Sequence, residues 1–285
     1  MGGNPAAFRG AGSGDTIMVW ALAIAERSVL AFGLILFIVQ NVAHAAGFWL
    51  GQRHRAEQVS HEAVGVVVGG MLGLLAFVLA LTLSFANGRF NEHRQGSLAE
   101  ANAMSTTWLR AKAIGTPEAE TIATLVEDYA RIRADFVAAG RDQATIDTIN
   151  QRTTTLQNQI WAQVSLMVRA QPNPVTTSLM AATNDMFDAT TKERFAFSVI
   201  LPPQLFWLLI GMTLLSMACL GYQFGLKNRA SHALILLLTL MWTWVIVEIL
   251  DLASARVGAI RTGTAVYEWT IEGFEPTPVP PAPAR

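Results

Sequence analysis

Three stretches of this chain, Ser28–Leu50, Val64–Ala86 and Gln204–Leu226, carry no formal charge, and a fourth, Ala233–Leu250, is apolar until Glu248 near its end. A helix rises 1.5 Å per residue, so about 20 apolar residues cross a hydrocarbon core of roughly 30 Å. One such run can be the buried helix of a globular core. Four of them predict four transmembrane helices, because a span in lipid must satisfy every backbone N–H and C=O within itself. Aromatic residues stand near the ends, where interfacial anchors belong: Phe48 and Trp49, Phe85, Trp207 and Tyr222, Trp242 and Trp244. Pro202-Pro203 precedes the third run, where missing N–H groups cost little.

Composition points the same way. Hydrophobic residues make up 52% of the 285 and charged residues 14%, against roughly 25% charged in soluble domains. The mean hydropathy of +0.36 is high for a globular protein. A net charge of −1 gives no basic field for nucleic acid, so no nucleic-acid partner is expected, and the bilayer itself is the first partner. The single cysteine, Cys219, excludes an internal disulfide and a multi-cysteine metal site; within an apolar run it reads as a packed thiol.

The spans pair by loop length. Gly51–Ala63 joins the first two and Lys227–His232 the last two, so both short loops share one side of the membrane. The N-terminal tail, the long middle segment and the C-terminal tail share the other. Arg53, Arg55, Lys227 and Arg229 mark the short loops; Arg27, Arg89, Arg94, Lys192, Arg194, Arg256 and Arg261 stand opposite. By density the short loops carry more positive charge, by count the other side does, and the positive-inside rule leaves the orientation open. Met1–Gly14 is Gly/Ala-rich and expected to be disordered. Thr16–Ala25 is apolar but too short to span, and reads as an interfacial helix rather than a cleaved signal peptide.

The expected organisation is therefore an all-α membrane protein with a helical bundle domain inserted between transmembrane helices 2 and 3. Its parts are a tail over 1–27, helices 1 and 2 over 28–86, an extramembrane helical domain over 87–200, helices 3 and 4 over 201–252, and a second tail over 253–285. The second span should run on through Arg89–Lys112. Thr116-Pro117-Glu118 is a helix start, with an N-cap, proline at the first position and acid in the first turn. Ile122, Leu125, Tyr129, Ile132 and Phe136 then form an apolar stripe closed by Gly140. Ile146, Ile149, Thr153, Leu156 and Ile160 form a heptad-like seam that ends near Pro172-Asn173-Pro174. Val175–Arg194 is a last helix with Leu179, Met186 and Phe187 inward. Pro276–Arg285 is Pro/Ala-rich and expected to be extended or disordered.

Catalytic constellations are absent: no phosphate-cradling loop, no paired metal-ligand motif, no nucleophile elbow. His54 and His61 share the first loop with Glu57 and Glu62, and a solvated interfacial loop explains them better than a metal site. No metal or cofactor is expected. The second span is the most informative. Gly65, Gly69 and Gly73 recur every four residues and leave a smooth groove along one face. Close packing within the subunit explains such a groove; so does packing against symmetry mates around an axis. In the second case Leu74, Phe77, Val78, Leu81 and Phe85 supply a hydrophobic constriction that gates by dewetting. Gln40, Asn41 and His44 make a polar patch in the first span, and Glu248 and Asp251 close the fourth. Interhelical hydrogen bonding and contact with interfacial water account for these groups; a wet pathway or an ion site is the sharper alternative.

These residues resemble a family. The run Leu74–Leu83, then Arg89-Phe90 and Arg94, Glu100-Ala101-Asn102-Ala103 and Trp108-Leu109-Arg110-Ala111 are similar to the bacterial bestrophin-like domain proteins. Asn184-Asp185-Met186, Gly221-Tyr222 with Gly225, and Glu248-Ile249-Leu250-Asp251-Leu252 followed by Arg256 and Gly258 extend the likeness over most of Val64–Gly263. The resemblance implies a homo-oligomer, five-fold as in bestrophins proper, in the cell inner membrane. It implies ion conduction through a pore lined by the second span, with ions as the second partner.

Two functions are carried forward. One is an oligomeric ion channel of this kind. The alternative is a non-conducting sensor or scaffold whose helical domain binds a partner or signal and whose Ile146–Ile160 seam passes a shift into the third span. Enzymatic activity is not expected, since His44, Cys219 and Glu248 lie on three different spans without motif spacing. A secondary transporter is disfavoured because the glycines of the second span are regular rather than a local break.

Overall fold

The computed structural model describes residues 29–55, 61–140, 142–198, 203–228, 231–254 and 262–274. Every element among them is a helix: α1 (Val29–Arg53), α2 (His61–Ile114), α3 (Pro117–Ala138), α4 (Gln143–Ala170), α5 (Pro174–Ser198), α6 (Pro203–Lys227), α7 (His232–Ser254) and α8 (Ala265–Glu272). Four of these, α1, α2, α6 and α7, are long and apolar enough to cross a membrane. The expected tail and interfacial helix of residues 1–25, the Pro/Ala-rich end, and Arg256, Gly258 and Arg261 lie outside the described residues.

Two compact units divide the described residues. One takes those within Met1–Gly88 and Leu201–Ala259, the other those within Arg89–Ile200 and Ile260–Arg285, so the division falls inside α2. The first unit has an interior of Phe32, Leu36, Val68, Leu75, Leu79, Phe206, Leu209, Met217, Trp242, Ile246 and Ile249. Its outside stays apolar: Leu30, Leu237 and Trp244 are more than half exposed. In water such a surface would be a liability; against hydrocarbon it costs nothing.

The second unit packs like a soluble bundle. Met104, Ile122, Val126, Tyr129, Ile160, Val164, Leu179 and Met186 are all fully buried. Each apolar side chain of this size contributes about 1.5–3 kcal/mol on burial. Helix ends follow local chemistry. Gly115 ends α2 at φ +69°, a left-handed conformation glycine adopts without penalty. Thr116 caps α3 by accepting from the Ala119 N–H at 3.3 Å, with Pro117 at the first helical position. Asn173 Oδ1 accepts from the N–H groups of Val175 at 2.9 Å and Thr176 at 3.0 Å to start α5. Asp142 caps α4 by accepting from the Thr145 N–H at 3.1 Å, and its bonds to Thr145 hold its carboxyl below the usual range.

Two features differ from the sequence expectation. The α3 helix stops at Ala138 with Ala139 as its cap, and Gly140 follows where a closing glycine belongs but without the left-handed φ that Gly115 has. Within the stretch expected to be a tail, α8 forms and buries Tyr267 and Phe274 in the second unit's core.

Candidate functional site

The first unit places α2 with two unlike faces. Val68, Leu75, Leu79, Thr82 and Ala86 recur at steps of seven, four, three and four residues and are buried. The opposite stripe faces outward, with Leu74 55%, Phe77 60%, Leu81 55% and Phe85 48% exposed. A Cβ built on Gly69, Gly70 or Gly73 meets nothing within 4 Å. The open half of α2 therefore carries Gly69 and Gly73 on one side and Leu74, Phe77, Leu81 and Phe85 beside them. Gly65 lies off it, since a Cβ there would stand 3.0 Å from Gln223 Nε2, and Val78 packs on the interior of the unit.

The polar patch of α1 turns toward α7. Gln40 is fully buried and donates from Nε2 to Thr243 Oγ1 at 3.2 Å. Asn41 Nδ2 donates to the Phe37 carbonyl at 2.8 Å and to Thr239 Oγ1 at 3.4 Å. Such bonds between spans are worth about 0.6 kcal/mol each on average. His44 is buried with its ring 6.2 Å from that of Phe224. Gln40 Oε1 and His44 Nε2 are buried without a hydrogen-bond partner among the described residues. Glu248 is half-buried and Asp251 buried near the end of α7.

The closest helix contact in the unit joins two glycines of the family likeness, Gly221 and Gly225, to Gly47 and Gly51, which the sequence analysis does not mark. Gly47 and Gly51 of α1 face Gly221 and Gly225 of α6. A Cβ would lie 1.9 Å from the Ala218 carbonyl oxygen at Gly47, 2.2 Å from that of Tyr222 at Gly51, 2.1 Å from that of His44 at Gly221 and 2.2 Å from that of Phe48 at Gly225. No other residue fits at any of the four without the backbones moving apart. Both pairs show the four-residue spacing that lets spans approach closely. That spacing is visible in the sequence as plainly as the one in α2.

In the second unit a charged network is sealed in the bundle. Arg133 on α3 and Glu100 on α2 are both fully buried, Nε donating to Oε1 at 2.6 Å and Nη2 to Oε2 at 3.4 Å. Tyr267 of α8 donates its hydroxyl to Glu100 Oε2. Burial works against the Arg133 charge, but the Glu100 carboxylate outweighs it and holds the guanidinium above its ordinary pKa. Tyr129 donates to Thr190 Oγ1 at 2.7 Å and accepts from Gln157 Nε2 at 2.9 Å; burial pushes its hydroxyl up to about 12. Burial, and then the adjacent Glu100, push Tyr267 up as well. Ser97 donates to Glu193 Oε1 at 2.7 Å one turn away, where Gly96 leaves room for that carboxylate. Among the described residues no three potential metal ligands converge.

An all-helical chain with four apolar spans and a packed helical unit of its own belongs to the polytopic membrane proteins. The bestrophin-like domain matches residues 34–263, and the chain belongs to the bestrophin-like family. Neither the curated proteins nor the solved structures contain a match to it. The α8 helix begins beyond the matched residues.

Proposed function

We propose that this chain is one subunit of a homo-oligomeric ion channel, a pentamer of the cell inner membrane, with its pore lined by the membrane part of α2. Residues 87–200 form a helical domain inserted between the second and third spans. One observation carries this reading: the half of α2 that bears Gly69, Gly73, Leu74, Phe77, Leu81 and Phe85 is open among the described residues, while the stripe of Val68, Leu75 and Leu79 is packed. Glycines along a span favour close helix approach, and among the described residues nothing stands within 4 Å of a Cβ built on Gly69, Gly70 or Gly73. Copies of α2 arranged about an axis would occupy that groove and turn Phe77 and Leu81 into a narrow apolar neck. A neck of that kind closes by expelling water rather than by a charged plug.

Cysteine cross-linking tests the assembly. In a Cys219→Ser background, Leu74→Cys should form disulfide-linked dimers between subunits under mild oxidation, since one cysteine per chain joins two chains. Leu75→Cys, fully buried on the packed stripe, should not. Cross-linking at Leu75 instead, or none at either position, would oppose the reading. The chain would then be taken as a non-conducting sensor or scaffold whose helical domain binds a partner or signal.

A further inference from the structure

One end of the first unit holds an apolar cavity of about 770 Å³ between α1, α2 and α6. Its walls include Leu50, Val67, Leu215 and Cys219, and Trp49 and Tyr222 stand at the end nearest the α1 terminus. The volume lies within the roughly 300–1,000 Å³ of built ligand pockets. Its rim has a different chemistry from its walls. The Arg53 guanidinium sits 5.1 Å over the Trp49 ring, and the His54 ring lies 6.1 Å from that of Tyr222. Gln52 donates to Asn228 Oδ1 at 3.1 Å, which fixes the ends of α1 and α6 side by side.

Charge at this rim is one-sided. Arg53 and Lys227 end the two helices, Arg55 follows in the turn after α1, and all three are exposed, while Glu62 is the one carboxylate on the described residues around the cavity. Arg53 makes no ion pair among the described residues. Tryptophan and tyrosine mark the level where hydrocarbon meets water, and basic groups at that level attract anionic headgroups. An apolar slot under a cationic, aromatic rim matches an amphiphile with a hydrocarbon tail and a negative head.

We propose that this cavity is a binding site for an anionic phospholipid, one acyl chain lying in the slot and the phosphate resting on Arg53. Zwitterionic lipid has the same tail but lacks the net charge, so the site discriminates by headgroup. The site does not depend on whether the chain conducts.

Cys219, the single cysteine, lines the cavity and reports on it directly. Purified full-length protein in mild detergent is treated with N-ethylmaleimide, alone or with added phosphatidylglycerol or phosphatidylcholine. The expected result is that phosphatidylglycerol slows modification of Cys219 and phosphatidylcholine does so far less. Arg53→Gln should require about fivefold more phosphatidylglycerol for the same protection, and Arg53→Lys should recover most of it. Native mass spectrometry of the same samples counts phosphatidylglycerol molecules retained per chain, and Arg53→Gln should lower that count. Equal protection by the two lipids, or protection and retention unchanged in Arg53→Gln, would overturn the proposal. Protection that needs no lipid and vanishes when the oligomer dissociates would overturn it in favour of a second copy filling the slot. Should Cys219 resist the reagent in every sample, retention decides: an unchanged count in Arg53→Gln rejects the site.

Discussion

Arg133 and Glu100 form an ion pair with neither side chain exposed, Nε lying 2.6 Å from Oε1. Attraction between two charges taken out of water offsets their desolvation only when geometry and further hydrogen bonds are good. Here Tyr267 supplies one such bond to the carboxylate, while Arg133 Nη1 finds no hydrogen-bond partner among the described residues and the guanidinium lies 4.1 Å over the Phe136 ring. Glu100→Gln should therefore destabilise the helical unit by about 3–5 kcal/mol, since it leaves a buried charge uncompensated. The pair Glu100→Leu with Arg133→Met should recover most of that loss. Tyr267→Phe should cost about 1–3 kcal/mol through the hydrogen bond alone. Denaturant or thermal melts of the purified protein followed by circular dichroism measure all three. A double variant no better than Glu100→Gln would contradict the prediction.

The two sets of glycines should respond in opposite ways to a methyl group. Gly47→Ala and Gly225→Ala force a Cβ to within 1.9 Å and 2.2 Å of a facing carbonyl oxygen. The spans must separate, and overpacking of this kind typically costs about 1–3 kcal/mol. Gly69→Ala meets nothing within 4 Å among the described residues, and helix propensity alone favours alanine there by up to about 1 kcal/mol. Melting in detergent should fall for the first two variants and hold or rise for the third. If α2 faces its copies, Gly69→Leu should leave the subunit folded yet weaken the oligomer on native gels.

Alkaline pH should loosen the second unit. Tyr129 has its folded pKa raised to about 12 from an ordinary 10, chiefly by burial. A raised folded pKa contributes stability that is complete below the unfolded value and lost as pH rises through the folded one. The loss should therefore fall between about pH 10 and about pH 12. Tyr267 adds to it in the same direction. Melts at stepped pH should show this decline, and Tyr129→Phe should make it shallower. A stability that stays flat to pH 12 would mean the hydroxyl is not sealed as described.

Much of this fold is legible because its signals are local. The four spans follow from runs of uncharged residues, and the starts of α3 and α5 from Thr116-Pro117 and Asn173-Pro174. The seam from Ile146 to Ile160 turns inward as its spacing requires, with Thr153 and Ile160 fully buried. What the sequence hides is which of two similar signals meets a neighbour. Gly47 with Gly51 and Gly69 with Gly73 have the same spacing, yet among the described residues only the first pair touches another span. Choosing between them needs the position of α6, which no local pattern carries. The α8 helix is hidden for a related reason. Eight residues are too few for a helix to stand alone in water, and Tyr267 is anchored through Glu100, a long way off in sequence. The likeness to the bestrophin-like family, by contrast, rests on contiguous motifs and is confirmed by the match over residues 34–263.

The most direct test of the channel reading is ion flux into liposomes holding the purified protein, with chloride and monovalent-cation gradients compared. Phe77→Ala and Leu81→Ala run beside the wild type. Flux above empty liposomes is expected, rising in both variants as the apolar neck widens, and its charge preference then follows from the two gradients. No flux from protein shown to be folded and oligomeric, or flux indifferent to both substitutions, would contradict a pore lined by α2.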